Sequence, residues 1–214
     1  MKSLILLLVI SLVASESSFR KLDFNYNCTE TYVIKSISVL DSTITFKERV
    51  GFENGKAFIQ LIIISDAGIY TFGDEGYYSP LSKYIPVYVD LMKINFPPYP
   101  DLELNLKASG SIKSAIRAVE GSPIGEVWLS LTGSIYANGK ITGGSENFSD
   151  VDISAKGTII TLSHTYKINS LNQISKSGKA SGGAVSISIE GKLSDMSSFS
   201  KSYELWKGWK ELSS

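Results

Sequence analysis

Residues 44–64 read ITFKERVGFENGKAFIQLIII, and this stretch decides the fold class. Ile44, Phe46, Val50 and Phe52 alternate with Thr45, Lys47, Arg49 and Gly51, the two-residue period of a half-buried strand. Asn54-Gly55 follows, and after it the apolar run Phe58 to Ile64. Asn and Gly both tolerate the positive φ of a type I′ turn, so this pair between two strand patterns predicts a hairpin. Centring the turn on Asn54-Gly55 sets Phe52 against Ala57, Val50 against Ile59 and Phe46 against Ile63, which gathers the apolar side chains on one face. Upstream, Leu22, Phe24, Tyr26 and Cys28 alternate with Lys21, Asp23, Asn25 and Asn27 and predict a further strand.

Downstream, an apolar-x-apolar-x-Gly-x-Ile/Leu motif recurs four times, around Gly110, Gly133, Gly157 and Gly191. The glycines are unevenly spaced, which speaks against a solenoid and for an antiparallel meander. If successive glycines stand opposite each other, the turns centre near residues 121–122, 145 and 174, all of loop composition. That register sets Ala108 against Ile135, Ile112 against Leu131, Ile116 against Val127, Leu131 against Ile159 and Ile159 against Ile189. It predicts a row of four glycines on the apolar face, a trough crossing a strongly curved sheet. The residues expected to line it and hold a ligand are Gly110, Gly133, Gly157, Gly191, Ile112, Leu131, Ile159 and Ile189. Trp128, Ile160, Leu162 and Tyr166 fall on the opposite face, where the N-terminal hairpins are expected to pack.

At the C-terminus, Phe199, Tyr203 and Trp206 stand at i, i+4 and i+7, with Leu205, Trp209 and Leu212 beside them, and Ser197 or Ser198 can cap a helix. The expected architecture is therefore mainly β. Residues 1–15 are a secretory signal peptide and residues 16–214 one β-rich domain. Within that domain, 16–76 form a hairpin region, 77–101 a Pro/Tyr-rich connector, 102–195 the glycine-ladder meander and 196–214 a short amphipathic helix that fills the trough. For 77–101 a Pro-started helix and an extended edge segment both fit.

The export signal is MKSLILLLVISLVAS: Lys2, an apolar stretch from Leu4 to Val13, then Val13 and Ser15 at the −3 and −1 positions of a cleavage site. The rival expectation is an uncleaved N-terminal anchor; no other segment is long and apolar enough to cross a bilayer as a helix. Secretion agrees with two N-glycosylation sequons, at Asn27 and Asn147. Basic and acidic residues number 21 each, so the chain lacks the basic excess of a nucleic-acid binder.

A single cysteine, Cys28, rules out a disulfide within the chain and any Cys-rich metal centre. A single histidine, His164, rules out a three-His or H-E-x-x-H site. It lies in a strand pattern without a partner motif and is expected to be structural. The chain contains no Walker A sequence and no G-x-S-x-G elbow, and neither a cofactor nor a metal is expected. Asp74-Glu75 between glycines is expected to be a solvated turn, since calcium wants six or more oxygens.

A coiled antiparallel sheet wrapped round a helix over residues 102–212 is similar in outline to the tubular lipid-binding proteins of the juvenile-hormone-binding type. The disulfide and the long N-terminal helix expected of such proteins are missing, and the resemblance assigns no residues. Three function classes follow. The first is a non-enzymatic carrier of a lipid or other apolar small molecule in the trough. The second is a structural or adhesive extracellular protein that self-associates through sheet edges. The third, a hydrolase, would need a site assembled only in three dimensions.

Overall fold

The computed structural model describes residues 27–54, 56–76, 81–96, 99–119, 126–145, 148–193 and 198–211. Four strands, β1 (Cys28–Val39), β2 (Ser42–Glu53), β3 (Lys56–Ser65) and β4 (Gly68–Gly76), pair in chain order as one antiparallel sheet. Phe52 faces Ala57, Val50 faces Ile59 and Phe46 faces Ile63, the register expected from the sequence. Asn54 takes φ 52° at the turn, the left-handed conformation for which an Asn is suited. The strand pattern at residues 22–26 and the signal peptide lie outside the described residues.

The second sheet is built from β5 (Leu81–Phe96), β6 (Tyr99–Val119), β7 (Glu126–Ser145), β8 (Phe148–Ile168), β9 (Ile174–Gly182), β10 (Val185–Leu193), β11 (Ser198–Trp206) and β12 (Trp209–Lys210). It is an antiparallel meander, β5-β6-β7-β8, whose β8 edge is shared end to end by two strands: β10 pairs with its first half and β9 with its second. Beyond them, β11 pairs with β10 and β12 with β9. Both sheets contribute to one hydrophobic core, with β3 lying against β6 and β7, β4 against β5 and β6, and β1 against β11.

Several expectations need correction. The C-terminal helix is absent: residues 198–206 and 209–210 are strands, and every regular element among the described residues is a strand. Ser198, Ser200 and Ser202 alternate with Phe199, Lys201 and Tyr203, a period of two that the aromatic spacing obscured. Trp206 is buried as expected, but from an edge strand facing Val185. The likeness to a sheet wrapped round a helix therefore fails with the helix. For residues 81–96 the extended edge segment holds, and the Pro-started helix does not: they are β5, the edge of the long sheet, where Pro86 is tolerated because one side of the strand lacks a hydrogen-bonded neighbour. The polar stretch after Asn169 holds β9.

The glycines do not form a row. Gly110 stands opposite Ile135, and Gly133 opposite Ile112 and Leu162. Gly157 faces Ala137 and Val185, and Gly191 faces Val151 and Phe199. Between β6 and β7 the register is shifted by two residues, so Ala108 meets Ala137 and Ile116 meets Leu129. A slip of two keeps every side chain on its face, which is why the apolar face survives while the row is staggered.

On β8 the pairing jumps from Ile135↔Ile160 to Tyr136↔Thr158, so Ile159 is the extra residue of a β-bulge. The alternation reverses there. Val151, Ile153 and Ala155 face the core before it, and Ile160, Leu162, His164 and Tyr166 face the core after it. Leu162, Ile160 and Tyr166 therefore leave the outer face on which the sequence placed them beside Trp128. The N-terminal sheet covers the glycine-bearing face, not the opposite one.

Candidate functional site

Of the residues expected to hold a ligand, Ile112, Leu131 and Ile159 are fully buried in the core shared by the two sheets, and Ile189 is half-buried at its margin. Leu131 faces Ser114 and His164, and Ile189 faces Ile153 and Lys201, so these side chains line no common row. The space left by the missing side chains is occupied by neighbouring backbone. A Cβ on Gly133 would stand 2.3 Å from the Ser111 carbonyl oxygen, and one on Gly110 2.2 Å from that of Ser134. At Gly133 and Gly157 φ is 152° and 153°, which side chains rarely adopt. These glycines let strands approach closely. On the core-facing side, Gly191 borders a depression of about 590 Å³, together with Val151, Phe199 and the polar Asp152, Glu190 and Lys192.

Between the sheets lies a polar cluster that sequence reasoning missed. Among the described residues the buried polar side chains are Glu48, Ser114 and His164, and two of the three are bonded to each other. His164 on β8 donates from Nδ1 to Glu48 Oε2 on β2 at 2.7 Å, and from Nε2 to Glu211 Oε2, just beyond β12, at 2.7 Å. Tyr166 also donates its hydroxyl to Glu48 Oε2, and Lys176 on β9 bonds Glu211 Oε1 at 2.5 Å. Glu211 is held in place by its own backbone N–H, which donates to the Ala180 carbonyl at 2.9 Å. Tyr32 on β1 stands opposite Glu48, its ring centroid 5.4 Å from that of Tyr166 and under the Lys176 ammonium.

With a carboxylate at each ring nitrogen, His164 is placed to be an imidazolium donating twice. Burial pulls its pKa down, but the hydrogen bond and charge of Glu48 outweigh that and leave it raised. Burial likewise acts to raise the Glu211 carboxyl, and the bonds from Lys176 and His164 prevail and lower it. Tyr166 is pushed well above the usual phenol range, first by burial and then by the Glu48 charge. Neither imidazole nitrogen is left to take a proton from a nucleophile, and His164 has no exposed surface. This arrangement joins sheets and is not poised for general-base work.

The outer face of the long sheet has a different character. Tyr84 is 70% exposed, Tyr88 66%, Tyr136 50% and Trp128 39%. Three lysines lie over these rings: Lys113 over Tyr84 at 5.5 Å, Lys107 over Tyr88 at 5.4 Å and Lys167 over Trp128 at 5.7 Å. Such cation–π contacts hold both partners upright on the sheet. Hydroxyl rows run between them: Ser111 faces Ser134, which faces Thr161, and the last two are hydrogen-bonded at 3.1 Å. Tyr84, Lys113, Thr132, Ser111, Ser134 and Tyr136 border an open trench of about 420 Å³, floored by the backbone at Gly110 and Gly133.

The remaining sequence candidates are accounted for briefly. Asp74 and Glu75 belong to β4, not to a turn, and are paired with Lys83 and Lys56. Cys28 opens β1, half-buried against the core, and burial raises its thiol pKa. Asn27 is exposed just before β1, while Asn147 lies outside the described residues. Among the described residues there is no cluster of three or more His, Cys, Asp or Glu suited to a metal ion, and no helix long and apolar enough to cross a membrane. Compared with known proteins, the chain matches no family model, no curated protein and no solved structure.

Proposed function

We propose that this is a secreted, non-enzymatic β protein that adheres to an extended polar surface through the outer face of its long sheet. One observation carries this reading: four exposed aromatic rings, three of them capped by lysine ammonium groups, stand among rows of Ser and Thr hydroxyls on that face. Exposed aromatics set in a polar field are the anchors of recognition surfaces. The N-terminal sheet covers the apolar face of the long sheet and leaves the outer face of that sheet open to a partner.

The test is retention of the secreted protein on immobilised polysaccharide matrices, neutral and acidic. Wild type is expected to be retained, and a Tyr84→Ser, Tyr136→Ser, Trp128→Ser variant of unchanged melting temperature to pass through. Equal retention of both proteins would sink the reading.

A second reading, an apolar small molecule as ligand, is favoured at one place only, the depression where Val151, Gly191 and Phe199 meet. Lipid carried through purification, and lost on Gly191→Leu substitution, would support it.

A further inference from the structure

We infer that the trench between Tyr84 and Tyr136 holds one segment of an acidic glycan chain, with the carboxylate or sulfate of a sugar ring on Lys113 and neighbouring rings against the two tyrosines. The inference rests on the adhesive reading above and names the chemistry that this surface selects.

The register of the strands fixes the shape of the site. Tyr84 shares a cross-strand row with Lys113 and Thr132, and Tyr136 shares one with Ser109. Those rows are four residues apart along the strands, and the two tyrosines are two strands apart across the sheet. At ~3.3 Å per residue and ~4.8 Å per strand, the tyrosines stand roughly 16 Å apart on a diagonal. Between them lie Ser111 and Ser134, hydroxyls that both donate and accept. The trench volume, about 420 Å³, falls within the range of small-ligand sites.

Each feature excludes an alternative occupant. A lipid chain would want an apolar floor, and this one is hydroxyl and peptide. A peptide strand would want unpaired backbone, and β6 and β7 are hydrogen-bonded on both sides. Sugar rings offer hydroxyls for the floor and C–H faces for the tyrosines.

The sign of the ligand comes from the lysines. Lys107 is paired with Asp90 at 3.3 Å and Lys167 with Glu126 at 2.6 Å, so their charges are answered within the protein. Lys113 belongs to none of the ion pairs found among the described residues and is the one cation bordering the trench. On the part of the outer face nearest the trench, Lys107, Lys113, Arg117, Lys156, Lys167 and Lys179 stand against Asp90 and Glu126, while Glu103, Asp152, Glu190 and Glu204 lie farther off, the first two paired with Lys93 and Lys140. Charge complementarity therefore calls for an anion, and a single uncompensated ammonium calls for one anionic group per segment.

Calorimetric titration of the secreted, full-length protein with three oligosaccharides tests this: an oligogalacturonate, a sulfated heparin fragment and a neutral cello-oligosaccharide. At least one acidic oligomer is expected to bind at least tenfold more tightly than the neutral one. Lys113→Gln is expected to weaken that binding about tenfold and to remove most of its salt dependence. Tyr136→Ala is expected to weaken all binding by a similar factor at unchanged melting temperature. The two acidic probes separate uronate from sulfate as the source of the charge. Preference for the neutral oligomer, or binding indifferent to Lys113→Gln, would overturn the inference. Retention on polysaccharide matrices without any binding of acidic oligomers would overturn it while leaving the adhesive reading standing. Binding at Lys113 without retention would do the reverse.

Discussion

His164 on β8 and Glu48 on β2 stand 116 positions apart in the chain and 2.7 Å apart between the two sheets. Both are fully buried, so neither can lose the other without leaving a polar group stranded in the core. Breaking such a pair from one side typically costs ~3–5 kcal/mol, while replacing both members by apolar residues is often neutral or stabilising. His164→Leu is therefore expected to lower the unfolding free energy by about 3–5 kcal/mol, and Glu48→Leu with His164→Leu together by far less than these two single changes summed. Urea denaturation of the four proteins checks this; additive losses would contradict the pairing.

The same cluster sets the pH dependence. A raised folded-state pKa means that the native protein holds the His164 proton more tightly than the unfolded chain does. Its contribution is thus complete below about 6.5, the ordinary imidazole value, and lost as pH rises through the folded-state value. The lowered carboxyl of Glu211 works in the other direction: its contribution is complete above about 4.3, the ordinary glutamate value, and lost as pH falls through its folded-state value. Melting temperature against pH should fall away on both sides of a plateau. His164→Gln should flatten the alkaline side and Glu211→Gln the acid side; an unchanged alkaline slope in His164→Gln would refute the assignment.

Gly133 and Gly183 offer a matched pair of substitutions. A Cβ on Gly133 would stand 2.8 Å from the Ile112 Cα, at a φ of 152°, whereas one on Gly183 would find nothing nearer than 3.5 Å. Gly133→Val should cost more than about 2 kcal/mol, and Gly183→Ala should stay within about 0.5 kcal/mol. Thermal unfolding of both decides it, and similar losses would show that the close strand approach at Gly133 is not real.

A chain ending at Gly208 loses Trp209, which packs over Gly182, and Glu211, which bonds both His164 and Lys176. Hydrogen bonds to charged groups are worth ~1.5–3 kcal/mol each. The shortened protein should lose at least about 2 kcal/mol, and amide exchange should quicken along β9. Unaltered exchange there would mean that the tail is only an appendage.

How much of this was legible in the chain depends on the range of the contacts. The β2–β3 hairpin was read residue by residue because Asn54 and its neighbour set a local turn and the apolar faces align only one way. The β6–β7 pairing was found within two residues, since the pattern fixes the face but the intervening turn fixes the register. β9 escaped notice because its core-facing positions are Ile174, Lys176, Gly178, Ala180 and Gly182, too small and polar to show a period. The C-terminal segment misled because its aromatic residues fit a helical spacing as well as an alternating one. His164 looked isolated because Glu48 and Glu211 come from distant positions, and no local signal announces them.

The bulge at Ile159 gives the second half of β8 its own reading frame. Deleting Ile159 itself would only restore an unbroken alternation, with His164 and Tyr166 still facing the core, whereas deleting Leu162 would be a frame error written in three dimensions: Ser163, Thr165 and Lys167 would turn toward the N-terminal sheet, and His164 and Tyr166 would turn to water. The Glu48 carboxylate would then lose both the imidazole and the phenol that bond it. Nothing downstream could restore the phase, because β9 is tied to the same strand from Thr161 to Ile168 and the tail reaches Glu211 only through β9. Beyond the bulge, insertions or deletions in β8 are thus expected to be tolerated in twos and to break the fold in ones, so the length of this half-strand is as much a part of its specification as the identity of any residue in it.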